Sequence, residues 1–301
     1  MKSKTLKLLI AIAIVLTSTH SFAQKWKNTR HEIYGGLGAS NFIGELGGAD
    51  NPGSLQFIRN YNFTDSRPSM VIGYRYQISP LFRAKAAINT GILAGDDAKT
   101  KEPYRNARNL SFRAPVVEFT VQGEFYLMKE KSGQVYRMQG FSSNIFSNLS
   151  TYLYTGFGGF WFNPQAKYNG NWVNLQPLGT EGQGIEPGVE KYSRFSYCIP
   201  YGFGIKYSLS RQLSVGFEYG SRLTFTDYID DVSTNYYDND KIRSTYGDMA
   251  ADLADRNQGP NYSWTGAGEQ RGNPDRNDFF LFANFTVNYK ILAGKTVKPR
   301  F

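Results

Sequence analysis

The stretch RFSYCIPYGFGIKYSL, residues 194–209, alternates large apolar side chains with small or polar ones along its whole length. Phe195, Tyr197, Ile199, Tyr201, Phe203, Ile205, Tyr207 and Leu209 share one parity, while Ser196, Cys198, Gly202, Gly204, Lys206 and Ser208 share the other. A period of two places these sets on opposite faces of an extended strand. The same pattern recurs over 31–40, 69–78, 82–92, 116–127, 213–225 and 278–291. An eighth run, TYLYTGFGGFWF at 151–162, is aromatic on both faces, and its orientation stays open. Wherever the phase is clear, the charged residues lie opposite the large apolar ones. The acids are Glu32, Glu118, Glu124 and Glu218, and the bases are Arg75, Arg83, Lys85, Lys206, Arg222 and Lys290.

Two architectures satisfy this parity. A soluble sandwich buries the apolar face and hydrates the charges; a membrane barrel turns the apolar face to lipid and encloses the charges. Length favours the barrel. A tilted strand needs roughly 9–11 residues to cross a bilayer, whereas soluble strands average about 5–6, and most of these runs hold 10 to 16. Tyr and Phe gather towards the strand ends, as interfacial girdles do. Connections also alternate: SPL (79–81) and SRQ (210–212) are tight, while 43–68, 93–115, 163–193 and 226–277 are long. Short turns on one side and long loops on the other mark outer-membrane barrels. The predicted fold is therefore all-β, an eight-stranded antiparallel up-and-down transmembrane β-barrel with long extracellular loops. Eight strands leave a lumen that side chains fill. The ten charges are read as a structural network of Glu–Arg and Glu–Lys pairs, in preference to a conduction or proton-transfer path, because an unpaired buried charge is very costly.

The N-terminus fits export into such a membrane. Lys2, Lys4 and Lys7 precede the apolar run LLIAIAIVL, and SFA ends at Ala23. This is the secretory pattern, so residues 1–23 are expected to be a cleaved signal peptide and 24–301 a single outer-membrane domain. Cleavage lowers the formal charge from +9 to +6, since it removes three lysines and no acid. The remaining bases are scattered, which suits contact with outer-membrane lipid and lipopolysaccharide and argues against nucleic acid. Cys198 is the one cysteine, so no intramolecular disulfide forms. His31 is the one histidine beyond the leader. A His-rich metal site and most histidine-based catalysis are thereby disfavoured, and no cofactor, metal or catalytic residue is assigned.

Two loop phrases stand out. FTDYIDDVSTNYYD, 225–238, holds Asp227, Tyr228, Asp230, Asp231 and Asp238. An EF-hand needs acids at alternate positions, a central Gly and a terminal Glu, which this phrase lacks. It reads as a structural or partner-facing loop, with a cation site or paired-carboxylate catalysis as alternatives. LQPLGTEGQG, 175–184, holds Pro177, Gly179, Thr180, Glu181, Gly182 and Gly184. No Lys-Ser/Thr follows to make a phosphate loop, so the glycines are read as supplying positive φ in successive turns.

These two phrases, with EIYGGLGASNFIGEL near the start and RGNPDRNDFFLFANF near the end, resemble the PorG-type outer-membrane proteins of the type IX secretion system. The resemblance runs from about residue 31 to 290. It implies an eight-stranded outer-membrane barrel attached to the periplasmic ring of PorK and PorN, with a part in protein secretion and often in gliding motility. It carries over no catalytic residue. A periplasmic partner must meet the turn side, where the connection 128–150 is unusually long and offers Tyr136, Arg137, Phe141 and Phe146, residue types enriched in interface cores. A self-packed turn is the competing reading of that segment. Competing functions are a stand-alone adhesin or stability barrel, and an outer-membrane enzyme on the same scaffold.

Overall fold

The computed structural model describes residues 29–46, 66–128, 130, 148–257 and 262–292. The expected signal peptide and the partner-contact candidates Tyr136, Arg137, Phe141 and Phe146 lie outside these residues. Eight long strands form the wall: β1 (His31–Ile43), β2 (Arg67–Gln77), β3 (Phe82–Asp96), β4 (Ser111–Tyr126), β5 (Leu149–Phe162), β8 (Phe195–Ser208), β9 (Leu213–Thr224) and β10 (Phe279–Ile291). Each pairs antiparallel with its neighbours, β10 closes on β1, and β3 closes on β4. No sheet edge is left along this wall. A short hairpin, β6 (Gln165–Tyr168) and β7 (Asn171–Asn174), is tied to β4 through Arg113 and Gln165.

The two tight turns are built alike. Ser79 Oγ accepts from the backbone N–H groups of Leu81 and Phe82, and Ser210 Oγ accepts from those of Gln212 and Leu213. A serine hydroxyl bonding its own backbone two or three residues on is a local turn device, so each turn is written in its sequence. His31 and Ile291 sit at this same end, paired in register.

The side-chain faces follow the parity. Leu37 is 67% exposed and Phe285 71%, with Ile72, Phe119, Val121, Leu153, Phe157 and Val287 also exposed on the outer surface. A continuous exposed belt of this kind is unfavourable in water and stable against lipid. Among the described residues no helix is long and apolar enough to cross a membrane. The open orientation of 151–162 resolves with Leu153, Phe157 and Trp161 outward and Tyr152, Tyr154, Phe160 and Phe162 buried within. Leu281 departs from the outward set, being fully buried. Replacing Leu37 by arginine puts a charge on the lipid face near mid-strand. We expect it to cost about 2–4 kcal/mol of folding free energy, read from urea unfolding of the protein in lipid vesicles; a change near zero would contradict the lipid-facing assignment.

The strands at the loop end outrun the sequence reading: β3 continues to Asp96 and β4 begins at Ser111. There the inward residues turn apolar. Phe42, Leu93, Phe112, Phe160, Phe162, Phe280 and Phe282 join Leu178, Ile229, Val232 and Ile242 of the loops in one buried cluster. Fully burying each large apolar side chain is worth about 1.5–3 kcal/mol, so the long loops fold onto the barrel as an outer cap. Three helices belong to it: α1 (Pro103–Arg108), α2 (Asn239–Tyr246) and α3 (Asp248–Ala254). Asp238 is the N-cap of α2, its carboxylate accepting from the N–H groups of Asp240 and Lys241. That is the usual use of an aspartate one residue before a helix.

Candidate functional site

All ten charges on the polar parity are buried, between 0 and 6% exposed. Register sets who meets whom. Glu32 faces Arg75 across one seam and Lys290 across the other. Arg75 is the hub of the lumen. Its guanidinium donates to Glu124 at 2.7 Å, Glu32 at 2.9 Å, Asn288 at 2.6 Å and Tyr152 at 3.1 Å, and it also pairs with Glu218. Lys85 reaches Glu218 at 3.0 Å, and Lys206 donates to both Glu32 oxygens at 2.7 Å. Higher in the barrel, Arg222 and Asn89 hold Glu118 at 2.8 and 2.9 Å. Inward tyrosines fill the remaining space, and glycine is what admits them: a Cβ on Gly204 would run into the ring of Tyr152. Between the Arg75 and Arg222 layers lies a small polar cavity lined in part by Tyr34, Lys85, Gln122 and Asn284.

One lumen residue escaped the sequence reading. Glu130 pairs with Arg83, with Lys290 at 2.5 Å and with Lys206 at 3.8 Å, closing the turn end of the lumen. Six bases facing only four acids was the signal that a carboxylate was missing. Its position was also readable: Glu118, Glu124 and Glu130 share the inward parity of β4, carried past the strand end at Tyr126.

At the loop end the two unusual phrases meet. Thr180 Oγ1 donates to Asp231 Oδ2 at 2.6 Å, and Tyr192 donates to Asp231 Oδ1 at 2.6 Å. Glu181 accepts from the N–H groups of Ser233 and Thr234 at 2.9 and 3.1 Å, and from the Thr234 hydroxyl at 2.8 Å. Arg271 donates to Glu181 at 2.8 Å and lies 3.7 Å from Asp231. Tyr228 stacks on Tyr192 with ring centroids 4.5 Å apart. The Pro177 carbonyl accepts from Lys191 at 2.7 Å. Gly179, Gly182 and Gly184 have φ of 57°, 84° and 78°; at Gly182 a Cβ would also sit 2.6 Å from the Tyr237 ring. Asp231 itself has φ of 67°, a conformation that Asp tolerates better than most residues. Asp227, Asp230 and Asp231 point inward, 6, 1 and 1% exposed, which favours the structural version of the loop reading. Asp231 is bonded to Thr180 and Tyr192 of the neighbouring loop and Asp230 to Leu46.

A second buried layer lies beneath this clasp. Asp97 binds Arg108 at 2.7 Å, yet burial pushes its carboxyl up while Arg108 opposes. Arg108 also donates to the carbonyls of Arg271 and Glu45 at 2.5 and 3.1 Å. Asp230 accepts from the N–H of Leu46 at 3.2 Å and of Val232 at 3.1 Å, and Asp278 accepts from that of Ile229 at 2.9 Å. Burial, opposed by Arg271, lifts Asp231 to about 6. Among the described residues no group of three or more His, Cys, Asp or Glu side chains has an arrangement that could hold a metal ion.

A family model described as "Domain of unknown function (DUF6089)" matches residues 6–255. The chain belongs to the DUF6089 family. The DUF6089 match includes both clasp phrases and ends at the close of α3, while Arg271, Asp278 and β10 lie beyond it. No curated protein matches the sequence. Among solved structures the chain is similar to Neisserial surface protein A, at 8% identity over 86% of this chain and 96% of that one, with a TM-score of 0.39. It is similar to Ail, the attachment invasion locus protein of Yersinia pestis, at 8% identity over 87% and 98%, TM-score 0.36. A major outer membrane protein from Thermus thermophilus matches at 9% identity over 86% and 99%, TM-score 0.36. No site residue is transferred from these proteins.

Proposed function

We propose that this barrel is a non-enzymatic outer-membrane component of the type IX secretion machinery, joined at its periplasmic side to the ring of PorK and PorN. The observation that supports this reading is the use made of the family phrases. Thr180, Glu181, Asp231 and Tyr228 are engaged with one another and with Arg271, holding the cap in shape. A scaffold component needs a defined surface at each end of a rigid post, and the filled lumen supplies the post. Histidine–acid catalysis gains no support: His31 sits at the turn end, bonded to Tyr74, across the barrel from the buried cap acids.

The test is recovery of the protein from cell envelopes in mild detergent, with co-purified proteins identified by mass spectrometry. PorK and PorN are expected with the intact chain. Deleting 132–144 is expected to leave a folded, heat-modifiable barrel and to weaken ring recovery by roughly 30-fold, as loss of a hot spot worth about 2 kcal/mol does. Unchanged recovery in the deletion variant removes the contact assignment. Absence of both ring proteins with the intact chain removes the secretion reading in favour of a stand-alone barrel.

A further inference from the structure

We propose that the outer cap is locked by protons shared among Glu45, Asp227, Asp230 and Asp278, so that it loosens when the surrounding medium turns alkaline. This stands apart from the secretion reading, since it rests on the cap alone.

The charges of the layer do not balance. From the β1–β2 connection comes Glu45; from α1 and the turn before it, Asp97, Arg105 and Arg108; from the β7–β8 loop, Glu181; from the β9–β10 loop, Asp227, Asp230, Asp231 and Arg271; and from the foot of β10, Asp278. Seven carboxyls thus face three guanidiniums. The guanidiniums lie against other acids: Arg108 is bonded to Asp97, Arg271 to Glu181 and close to Asp231, and Arg105 stands 3.7 Å from Asp97 without a hydrogen bond to it. The four carboxyls left without an arginine in ion-pair contact are Glu45, Asp227, Asp230 and Asp278.

Their hydrogen bonding points to the missing partner. Both carboxylate oxygens of Asp227, Oδ1 of Asp278 and Oε2 of Glu45 are buried without a hydrogen-bond donor. Ser233 lies beside Asp227 and favours its ionised form without a hydrogen bond of ordinary geometry. Ionised carboxylates only accept, so no oxygen of this set can satisfy another while both are charged; a protonated carboxyl gains a donor and loses the uncompensated charge. Burial and mutual repulsion favour that outcome. Burial, then the charges of Asp230 and Glu45, push Asp227 up to about 9. Burial raises Glu45 to about 7 against Arg108. Asp230 is raised well above the carboxylate range by burial and Glu45, and Asp278 by burial, Asp230 and Asp227. Two of these acids also tie the cap together: Asp230 accepts from Leu46 and from Val232, and Asp278 accepts from Ile229, which joins the β1–β2 connection, the β9–β10 loop and the foot of β10. Ionising the cluster therefore sets repulsion against the joints of the cap.

The sign follows from linkage. The folded cap binds more protons than the unfolded one between about pH 4, the ordinary carboxyl value, and the raised values of the folded cap. The stabilisation is present in full below that pH and is lost as the pH rises through about 7 and about 9.

The experiment is hydrogen exchange of the mature chain folded in detergent micelles, at pH 6 and pH 9, corrected for intrinsic exchange. Protection of the Ile229 and Val232 amides is expected to fall at least tenfold between these conditions, the change that about one unit of linked titration produces. Amides of β4 and β8 are expected to hold. Asp227→Asn, which cannot ionise and can donate, is expected to shrink the fall; Glu45→Gln is the second variant should Asp227→Asn fail to fold. Equal cap protection at both pH values overturns the proposal, as does an undiminished fall in a folded variant. Loss of wild-type protection at pH 6 on adding EDTA also overturns it, by assigning the cluster to a cation.

Discussion

Replacing Arg75 by methionine is expected to lower the unfolding free energy of the barrel by about 3–5 kcal/mol, the cost of removing one member of a buried ionic group. Arg75 is fully buried and bonds three carboxylates. Glu32 keeps Lys206 and Glu218 keeps Lys85, but Glu124 is left with Lys85 at 3.7 Å and the Tyr126 hydroxyl at 3.3 Å. Lysine at position 75 is expected to rescue little, because an ammonium cannot reproduce the planar fork that reaches three acids at once. The double variant Arg75→Met with Glu124→Gln is expected to recover part of the loss by removing the stranded charge. Urea unfolding in lipid vesicles measures all three. A loss below about 1 kcal/mol, the value of an exposed pair, would show that the lumen is hydrated and the hub unnecessary.

Replacing Glu181 by alanine is expected to open the cap and leave the barrel standing. The substitution strands the backbone N–H groups of Ser233 and Thr234 and frees one side of Arg271. Unsatisfied buried groups cost about 1–3 kcal/mol each, and Arg271 is left with Asp231 as its one carboxylate partner, so the local stability of the cap falls by several kcal/mol. Ile229 and Val232 are at most 1% exposed in the closed cap. Thermolysin, which cleaves before such apolar residues, is expected to cut near 229–232 in Glu181→Ala and spare the wild type. The heat-induced gel shift of the barrel is expected to change little. Equal resistance of both proteins to thermolysin would mean that the apolar cluster alone holds the cap.

Particular residues show how far the sequence could be read. The wall was legible because seven of its strands announce their two faces locally: in β10, Phe285 and Val287 outward, Asn284 and Lys290 inward, as alternation requires. Glu130 was legible in principle from parity and from the shortage of acids. The run 151–162 was not, since with Phe157 on one face and Phe160 on the other only the neighbouring strands decide which meets lipid. The glycines of 179–184 were legible as turn formers, yet nothing near them indicates that Glu181 binds the backbone at 233 and 234.

What the amino-acid order determines by itself is therefore the period-two strands, the side of each clearly phased one that faces lipid, and the two serine turns. These depend on backbone geometry and side-chain direction within a few residues. What only the closed barrel decides is the company that each charge keeps. Leu46 and Asp230 meet from 184 positions apart, and the four cap acids come together because the strand ends beneath them are brought into one ring. Their crowding is a property of that ring, and with it comes the demand for shared protons.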